Sequence, residues 1–308
     1  MKIYVAGHRG LVGSAIVRQI ETSGQHTWVG KTRQELDLFD IEQVDSFLEQ
    51  EKPDAIILAA AKVGGIGANS NFPVEFLTEN LRIELNIMES AHKRDINRMV
   101  FLGSSCIYPK YAQQPINEGQ LLSGALEITN EPYAIAKIAG IKMAAAYQKE
   151  FGRDWVSAMP CNIYGPGDNF DVETGHVLPA LINKFHVAKI SESESVGLWG
   201  DGTPLREFLH SDDLAKACIF ILDNYHGTEH INVGSGVEVS IKELAAIIAR
   251  VVDFKGEILW DRSKPNGTPR KILDSKKIHD AGWSSSISLE DGIRETYLSY
   301  LESYDSHS

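Results

Sequence analysis

The sequence predicts an α/β protein, a doubly wound parallel sheet carrying a smaller C-terminal α/β lobe. Three observations point there. Short apolar runs alternate with amphipathic helical stretches up to about residue 160, and strands covered on both faces by crossover helices read as such runs. A glycine-rich turn, Gly7-His8-Arg9-Gly10-Leu11-Val12-Gly13, stands between the first apolar run and the first helical stretch. Beyond Gly165 the alternation loosens while strand and helix patterns continue, as expected of a second, smaller packing unit.

Lys2 to Ala6 read as a buried first strand leading straight into the glycine turn, which is not the pattern of a leader peptide. The next helix runs from Leu11 to Ser23, with Leu11, Val12, Ala15, Ile16 and Ile20 on one face. Thr27 to Val29 is a second strand, and residues 41–51 form a helix ended by Pro53. Strands at Ala55–Ala59, Arg98–Leu102 and Trp155–Met159 alternate with long helices at Pro73–Arg94 and 130–151. After a loop at Gly165–Asn169 come a helix from Val177 to Lys189 and a short strand at Val196–Trp199. Ser211-Asp212-Asp213 reads as the cap of a helix to Asn224. His230–Val233 is another strand, and helix 240–252, strand 257–260 and an amphipathic helix near 288–303 complete the chain.

The 308 residues can bury a sizeable core, and their 43% hydrophobic content is that of an ordinary globule. No apolar run reaches about 18 residues, so no membrane-spanning helix is expected. Cys106, Cys161 and Cys218 lack C-x-x-C spacing, which argues against a disulfide framework or a zinc site and fits a reducing cytoplasm. A net charge of −12 argues against nucleic-acid partners.

The turn Gly7, Arg9, Gly10, Leu11, Val12, Gly13 has G-x-x-G-x-x-G spacing. Its glycines permit a tight turn and close approach to a pyrophosphate at the helix N-terminus, which makes the sheet Rossmann-like and dinucleotide-binding. The second strand ends in Gly30-Lys31-Thr32-Arg33, where an acidic ribose partner would stand for NAD. Arg33 with Arg9 favours the 2′-phosphate of NADP(H); Glu35 and Asp37 follow closely and keep NAD open. The fourth strand ends in Gly103-Ser104-Ser105-Cys106, and ligands of such sheets bind beyond the strands' carboxyl ends. Tyr133 and Lys137 lie four apart on a helix that Asn130 can cap and Pro132 can open. One shared face lets the ammonium stabilise a phenolate and lower the tyrosine pKa from about 10.

The glycine turn, the serine after the fourth strand and Y-x-x-x-K together resemble the extended short-chain dehydrogenase/reductase superfamily. The stretches Ala59–Ile66, Gly103–Lys110, Asn130–Lys142 and Lys264–Lys271 further resemble its GDP-L-fucose synthase family, over nearly the whole chain. That resemblance implies 3,5-epimerisation and NADPH-dependent 4-keto reduction of GDP-4-keto-6-deoxy-D-mannose. It implies a catalytic triad of Ser104, Tyr133 and Lys137, with Lys137 also binding the nicotinamide ribose, and an epimerising acid/base pair of Cys106 and His176. It implies cofactor contacts at Leu102, Ser104, Pro160, Asn162, Ile163 and His176, and GDP-sugar contacts at Lys184, Trp199, Arg206 and Asn266. Lysine at 184 and asparagine at 266 stand where relatives can carry arginine and aspartate. The implied assembly is a homodimer through helices 73–94 and 130–151. The expected division is an NADP-binding domain at 1–165 and 207–234, and a substrate lobe at 166–206 and 235–308. Two rival readings are a 4-epimerase with permanently bound NAD and a non-catalytic NADP-sensing regulator. Cys106 with His176 and the Arg9/Arg33 pair weigh against the first, and the intact Ser104, Tyr133 and Lys137 against the second.

Overall fold

The computed structural model describes residues 1–264 and 266–305, apart from the side chains of Ile66 and Asp305. Pro265, inside the Lys264–Lys271 stretch, lies outside the described residues. The strands in chain order are β1 (Lys2–Ala6), β2 (Thr27–Val29), β3 (Ala55–Leu58), β4 (Arg98–Leu102), β5 (Asp154–Pro160) and β6 (Asn162–Tyr164). They continue with β7 (Ser195–Trp199), β8 (Leu205–His210), β9 (Ile231–Val233), β10 (Glu238–Ser240), β11 (Glu257–Asp261) and β12 (Arg270–Lys271). The helices are α1 (Leu11–Ser23), α2 (Ile41–Glu51), α3 (Ile66–Asn71), α4 (Pro73–Lys93), α5 (Glu131–Phe151), α6 (Val177–Ile190), α7 (Ser211–Asn224), α8 (Ile241–Val252), α9 (Lys276–Asp280) and α10 (Leu289–Asp305).

Six strands form one parallel sheet in the order β2-β1-β3-β4-β5-β9. The strand order reverses between β1 and β3, and α1 with α7 covers one face while α2, α4 and α5 pack together. β3 is buried at all four positions, as a strand with helices on both faces must be. The expected parallel sheet is present.

The second unit is built differently. β8 pairs with β6 and β12 in parallel and with β10 antiparallel, while β11 pairs with β7. Its core gathers Leu178, Phe185, Leu198, Phe208, Leu244 and Ile293. Leu273, Ile278 and Trp283, although late in the chain, pack into the core of the large sheet.

Two local expectations need correction. Asn130 occupies the N-cap position of α5, but its side chain makes no capping hydrogen bond and its buried Oδ1 has no hydrogen-bond partner among the described residues. A backbone at φ −131°, ψ 15° is not the extended conformation that aims a cap side chain at the first turn. The cap of α7 is His210, one residue before the Ser211-Asp212-Asp213 stretch; its Nδ1 accepts the Asp212 N–H at 3.3 Å.

Candidate active site

The glycine turn is a cradle with no room for side chains. Gly7 has φ +86°, and a Cβ there would stand 2.8 Å from the backbone of Ala60. A Cβ on Gly13 would stand 2.0 Å from the Gly7 carbonyl. The small residues Ala59 and Ala60 after β3 therefore let that loop press against the turn. Gly10 is the N-cap of α1 and offers no side chain, leaving the first amides of the helix to point at a ligand. These are the features a pyrophosphate needs, so the residues fit a dinucleotide.

The acidic alternatives at the second strand are turned away. Glu35 Oε2 accepts from both the backbone N–H and the hydroxyl of Thr32 at 2.8 Å, and these bonds lower its pKa. Asp37 accepts the Phe39 N–H at 3.0 Å. The Arg33 guanidinium lies 5.2 Å over the Phe39 ring, a stacking arrangement that suits arginine's planar head.

Beyond β4, Ser104 caps a short 3₁₀ turn, its hydroxyl accepting the Cys106 N–H at 3.2 Å. Leu102 and Gly103 pack under this turn, where a Cβ on Gly103 would stand 2.3 Å from Met159. Tyr133 bonds to the Ser104 side chain, and its ring meets Phe76 edge-on at 6.2 Å. The Lys271 ammonium, on β12, is 3.9 Å from the Cys106 sulfur. Cys161 and Cys218 are buried in the core.

The electrostatics of Tyr133 and Lys137 differ from the sequence expectation. Burial raises the Tyr133 pKa, and the negative charges of Cys106 and Glu84 add to this; the Ser104 bond offsets only part. The Lys137 ammonium is turned to Glu84 on α4, at 3.3 Å. A spacing of four puts two side chains on one helix face, but a buried lysine follows the nearest carboxylate.

Gly65 lies against the loop that carries His176: its N–H donates to the Thr174 carbonyl at 2.9 Å. This joins the end of β3 to the start of α6, whose N-cap is His176. His176 is exposed, and the protein around its imidazole lowers its pKa by desolvation. Pro160 ends β5, and Asn162 and Ile163 lie on β6, where Asn162 Nδ2 donates to the Glu207 carbonyl at 2.7 Å.

Lys184 and Trp199 line one groove of about 220 Å³ together with Trp260 and Ile241. Trp199 is 69% exposed and carries the Lys264 ammonium 5.6 Å over its ring. Arg206 and Asn266 are not free in this arrangement. Arg206 Nη1 donates to the Thr268 carbonyl at 2.6 Å, and Asn266 Oδ1 accepts the Asp201 N–H at 3.0 Å. Both brace the 266–269 loop against neighbouring backbone.

Sequence reasoning missed Glu84, Lys271 and Glu207. Glu207 is fully buried and accepts from Gly236 N and Leu273 N at 2.7 and 3.0 Å, tying three segments together. A charged residue in a helix or strand ordinarily reads as its solvent face, so nothing local marked Lys271 or Glu207. The one usable signal was Asn80 and Glu84, polar residues at i,i+4 on the face that also presents Phe76 and Ile87.

A family model, the NAD dependent epimerase/dehydratase family, matches residues 3–234. A relative from Arabidopsis thaliana named putative GDP-L-fucose synthase 2 is 57% identical over 301 residues, covering 98% of this chain and 92% of its own. GDP-L-fucose synthase of Escherichia coli (strain K12) is 51% identical, covering 99% and 98%. A crystal structure of a GDP-L-fucose synthetase from Naegleria fowleri bound to NADP superposes with a TM-score of 0.90 at 28% identity, covering 99% and 95%. With its cradle, its Ser104–Tyr133 bond and these likenesses along nearly its full length, the chain belongs to the NAD dependent epimerase/dehydratase family, among the GDP-L-fucose synthases.

Proposed function

We propose that the protein converts GDP-4-keto-6-deoxy-D-mannose to GDP-L-fucose by 3,5-epimerisation and NADPH-dependent 4-keto reduction. The observation that carries this reading is the turn after β4, which presents Ser104, bonded to Tyr133, and Cys106 two residues on. Gly7, Gly10, Leu11, Val12 and Gly13 hold the pyrophosphate, and Arg9 and Arg33 the 2′-phosphate. Leu102, Pro160, Asn162 and Ile163 line the nicotinamide end. Bound there, NADPH supplies the hydride that reduces C4.

The hydrogens on C3 and C5 are α to the ketone, so each can leave as a proton to give an enolate. Cys106 takes the proton as base and His176 returns one to the opposite face as acid. Ser104 and Tyr133 hold the C4 oxygen and stabilise its developing charge. Burial keeps the Tyr133 phenol protonated, so it stands ready to give its proton to the C4 oxygen during reduction. Lys137 supports that transfer with its charge. Lys184 and Trp199 take the GDP end of the substrate in their shared groove, and Arg206 and Asn266 hold the 266–269 loop for it.

The division assigned is a larger domain at 1–165 and 207–234 and a substrate lobe at 166–206 and 235–308; the packing of Leu273, Ile278 and Trp283 argues for giving that segment to the larger domain, and that of Tyr164 and Phe208 for giving β6 and all of β8 to the lobe. Leu85 on α4 and Ile135 on α5 are exposed apolar side chains, which supports a homodimer through these helices; light scattering that finds only monomer at micromolar concentration rejects it. Among the described residues no helix is long and apolar enough to cross a membrane, and we place the enzyme in the cytoplasm. The test of function is incubation with GDP-4-keto-6-deoxy-D-mannose and NADPH, with the product identified by NMR. Recovery of a product with unchanged configuration at C3 and C5 overturns the epimerase half.

A further inference from the structure

We propose that Glu84 is a positioning residue of the reducing centre, the buried counter-ion that fixes the Lys137 ammonium. The proposal rests on the reading of Tyr133 and Lys137 given above. α4 and α5 pack side by side, and at their contact Glu84 is 1% and Lys137 2% exposed. The ammonium lies 3.3 Å from Glu84 Oε1 and 4.6 Å over the Phe101 ring on β4. The fold makes specific room for the carboxylate. A Cβ on Gly140, one turn beyond Lys137, would stand 2.6 Å from Glu84 Oε2 and 2.6 Å from Phe101. The angles of the ion pair miss hydrogen-bond geometry, and among the described residues neither oxygen of Glu84 has another partner.

A packing role does not account for this. Buried carboxylates are costly unless paired, and an apolar side chain would fill the same space without that cost. Asn80, one turn earlier on the same face, acts as a brace. Its Oδ1 accepts the Lys62 N–H at 2.8 Å, holding the loop after β3. Glu84 makes no such bond, and what it faces is Lys137. The titratable group that acts on the lysine is Glu84 from α4; Glu84 also acts on Tyr133, one turn earlier on α5, as does Cys106 from the turn after β4. Burial lowers the lysine's pKa and Glu84 offsets part of this; burial raises that of Glu84, which stands at about 7 with Lys137 offsetting part. Each group favours the charged form of the other against the burial that disfavours both. A neutral amine at 137 could neither support the charge that develops when Tyr133 gives up its proton nor donate in full to a ribose hydroxyl.

The test uses Glu84→Gln, which keeps the shape, and Glu84→Asp, which keeps the charge at longer reach. The first readout is the pH profile of ketone reduction. Reduction needs charged Lys137, so its alkaline limb follows the lysine. In Glu84→Gln the limb moves to lower pH by roughly one unit, an about tenfold loss at the alkaline end. In Glu84→Asp it falls between that of the Gln variant and that of the parent. The second readout needs no cofactor or turnover: thermal unfolding of the protein alone against pH. A lysine with a depressed folded pKa makes the unfolded state bind more protons, so stability rises with pH up to about 10. The deficit of the Gln variant should therefore shrink as pH rises from about 7.5 to 10. If the Gln variant does not fold, the Asp variant alone must show both changes in smaller size. An alkaline limb at its parent position, or a stability deficit independent of pH, overturns the proposal. A parent protein that does not reduce the ketone at all points instead to failure of the functional reading, since the unfolding experiment stands without it.

Discussion

The two packing units of this chain solve the same problem at different sequence range. In the large sheet, three of the five strand pairings (β1 with β2, β3 with β4, β4 with β5) join strands adjacent in the chain with helices between them; β1 with β3 skips one strand, and only β5 with β9 spans the segment that carries β6 to β8. In the lobe, β11 must find β7 some sixty residues earlier in the chain, and β8 gathers β6, β10 and β12 from three separate segments. Local pattern decides where the sheet's elements lie; long-range pairing decides those of the lobe. The same contrast divides the site. The dinucleotide cradle comes from seven consecutive residues, whereas the substrate groove draws Lys184, Trp199, Ile241 and Trp260 from four elements.

The largest expected effect separates epimerisation from reduction. Cys106→Ser should slow epimerisation by roughly 10²- to 10⁴-fold, the range for loss of a positioned acid/base group. A hydroxyl is far less acidic than a thiol and makes a poor shuttle near neutral pH. Tyr133 and its Ser104 bond are untouched, so reduction continues. In deuterated water, incorporation at C3 and C5 followed by NMR should vanish while NADPH is still consumed. Parent-rate incorporation at both carbons would place the base elsewhere.

The second effect breaks the comparison between the two units directly. Gly13→Ala drives a methyl group into the Gly7 carbonyl, whereas Gly197→Ala on β7 meets open space. Overpacking costs about 1–3 kcal/mol, occasionally more, and here it falls on the cradle itself. NADPH affinity measured by fluorescence should drop at least tenfold for Gly13→Ala, as about 1.4 kcal/mol implies. Gly197→Ala should leave it unchanged. Equal losses would mean that the cradle is no tighter than the lobe.

Arg33→Ala sharpens the reading of cofactor choice. A lost hydrogen bond to a charged group costs about 1.5–3 kcal/mol, and only NADPH carries the 2′-phosphate. Glu35 and Asp37 are already bound to their own loop, so they give NADH no compensating partner. Titrations should show NADPH weakened and NADH little changed; an equal loss for both removes Arg33 from the phosphate.

These contrasts explain what was legible in the sequence. The glycine turn, the apolar strands at Ala55 and Arg98, and the helices at 73–94 and 130–151 each carry their pattern within one window. β8, with the sequence Leu205-Arg206-Glu207-Phe208-Leu209-His210, hid its identity because two charged residues interrupt it. Its Glu207 is buried only because Gly236 and Leu273 arrive from elsewhere to satisfy it. β6, β10 and β12 have three, three and two residues, and each is made a strand by pairing with β8 from a distant segment. The site residues Ser104, Cys106, Tyr133 and Lys137 were visible as motifs. The charge that governs Lys137 was not, because Glu84 is 53 positions away in sequence and meets it only through helix packing.

The smallest expected effect falls on Asn266, where motif and geometry assign different roles. The resemblance implies a contact to the GDP-sugar; the structure gives its Oδ1 to the Asp201 N–H and lets Gly200, at φ +78°, approach so closely that a Cβ would stand 2.2 Å away. Asn266→Ala removes a single neutral hydrogen bond at a partly exposed turn, worth about 0.5–1.5 kcal/mol. If bracing is its role, the variant should lower Tm by a degree or a few, since 308 residues place the chain at or below the about 2–4 °C per kcal/mol typical of somewhat shorter ones. Asn266→Asp keeps the acceptor oxygen but sets a second carboxylate beside that of Asp201 in place of the amide donor, so it should restore Tm only in part. The KM for the GDP-sugar should move less than about threefold in either variant, since about 1.4 kcal/mol would be needed for tenfold. A KM raised tenfold in Asn266→Ala with Tm unchanged would return this residue to the substrate and leave the Gly200 turn to be held by the rest of the loop.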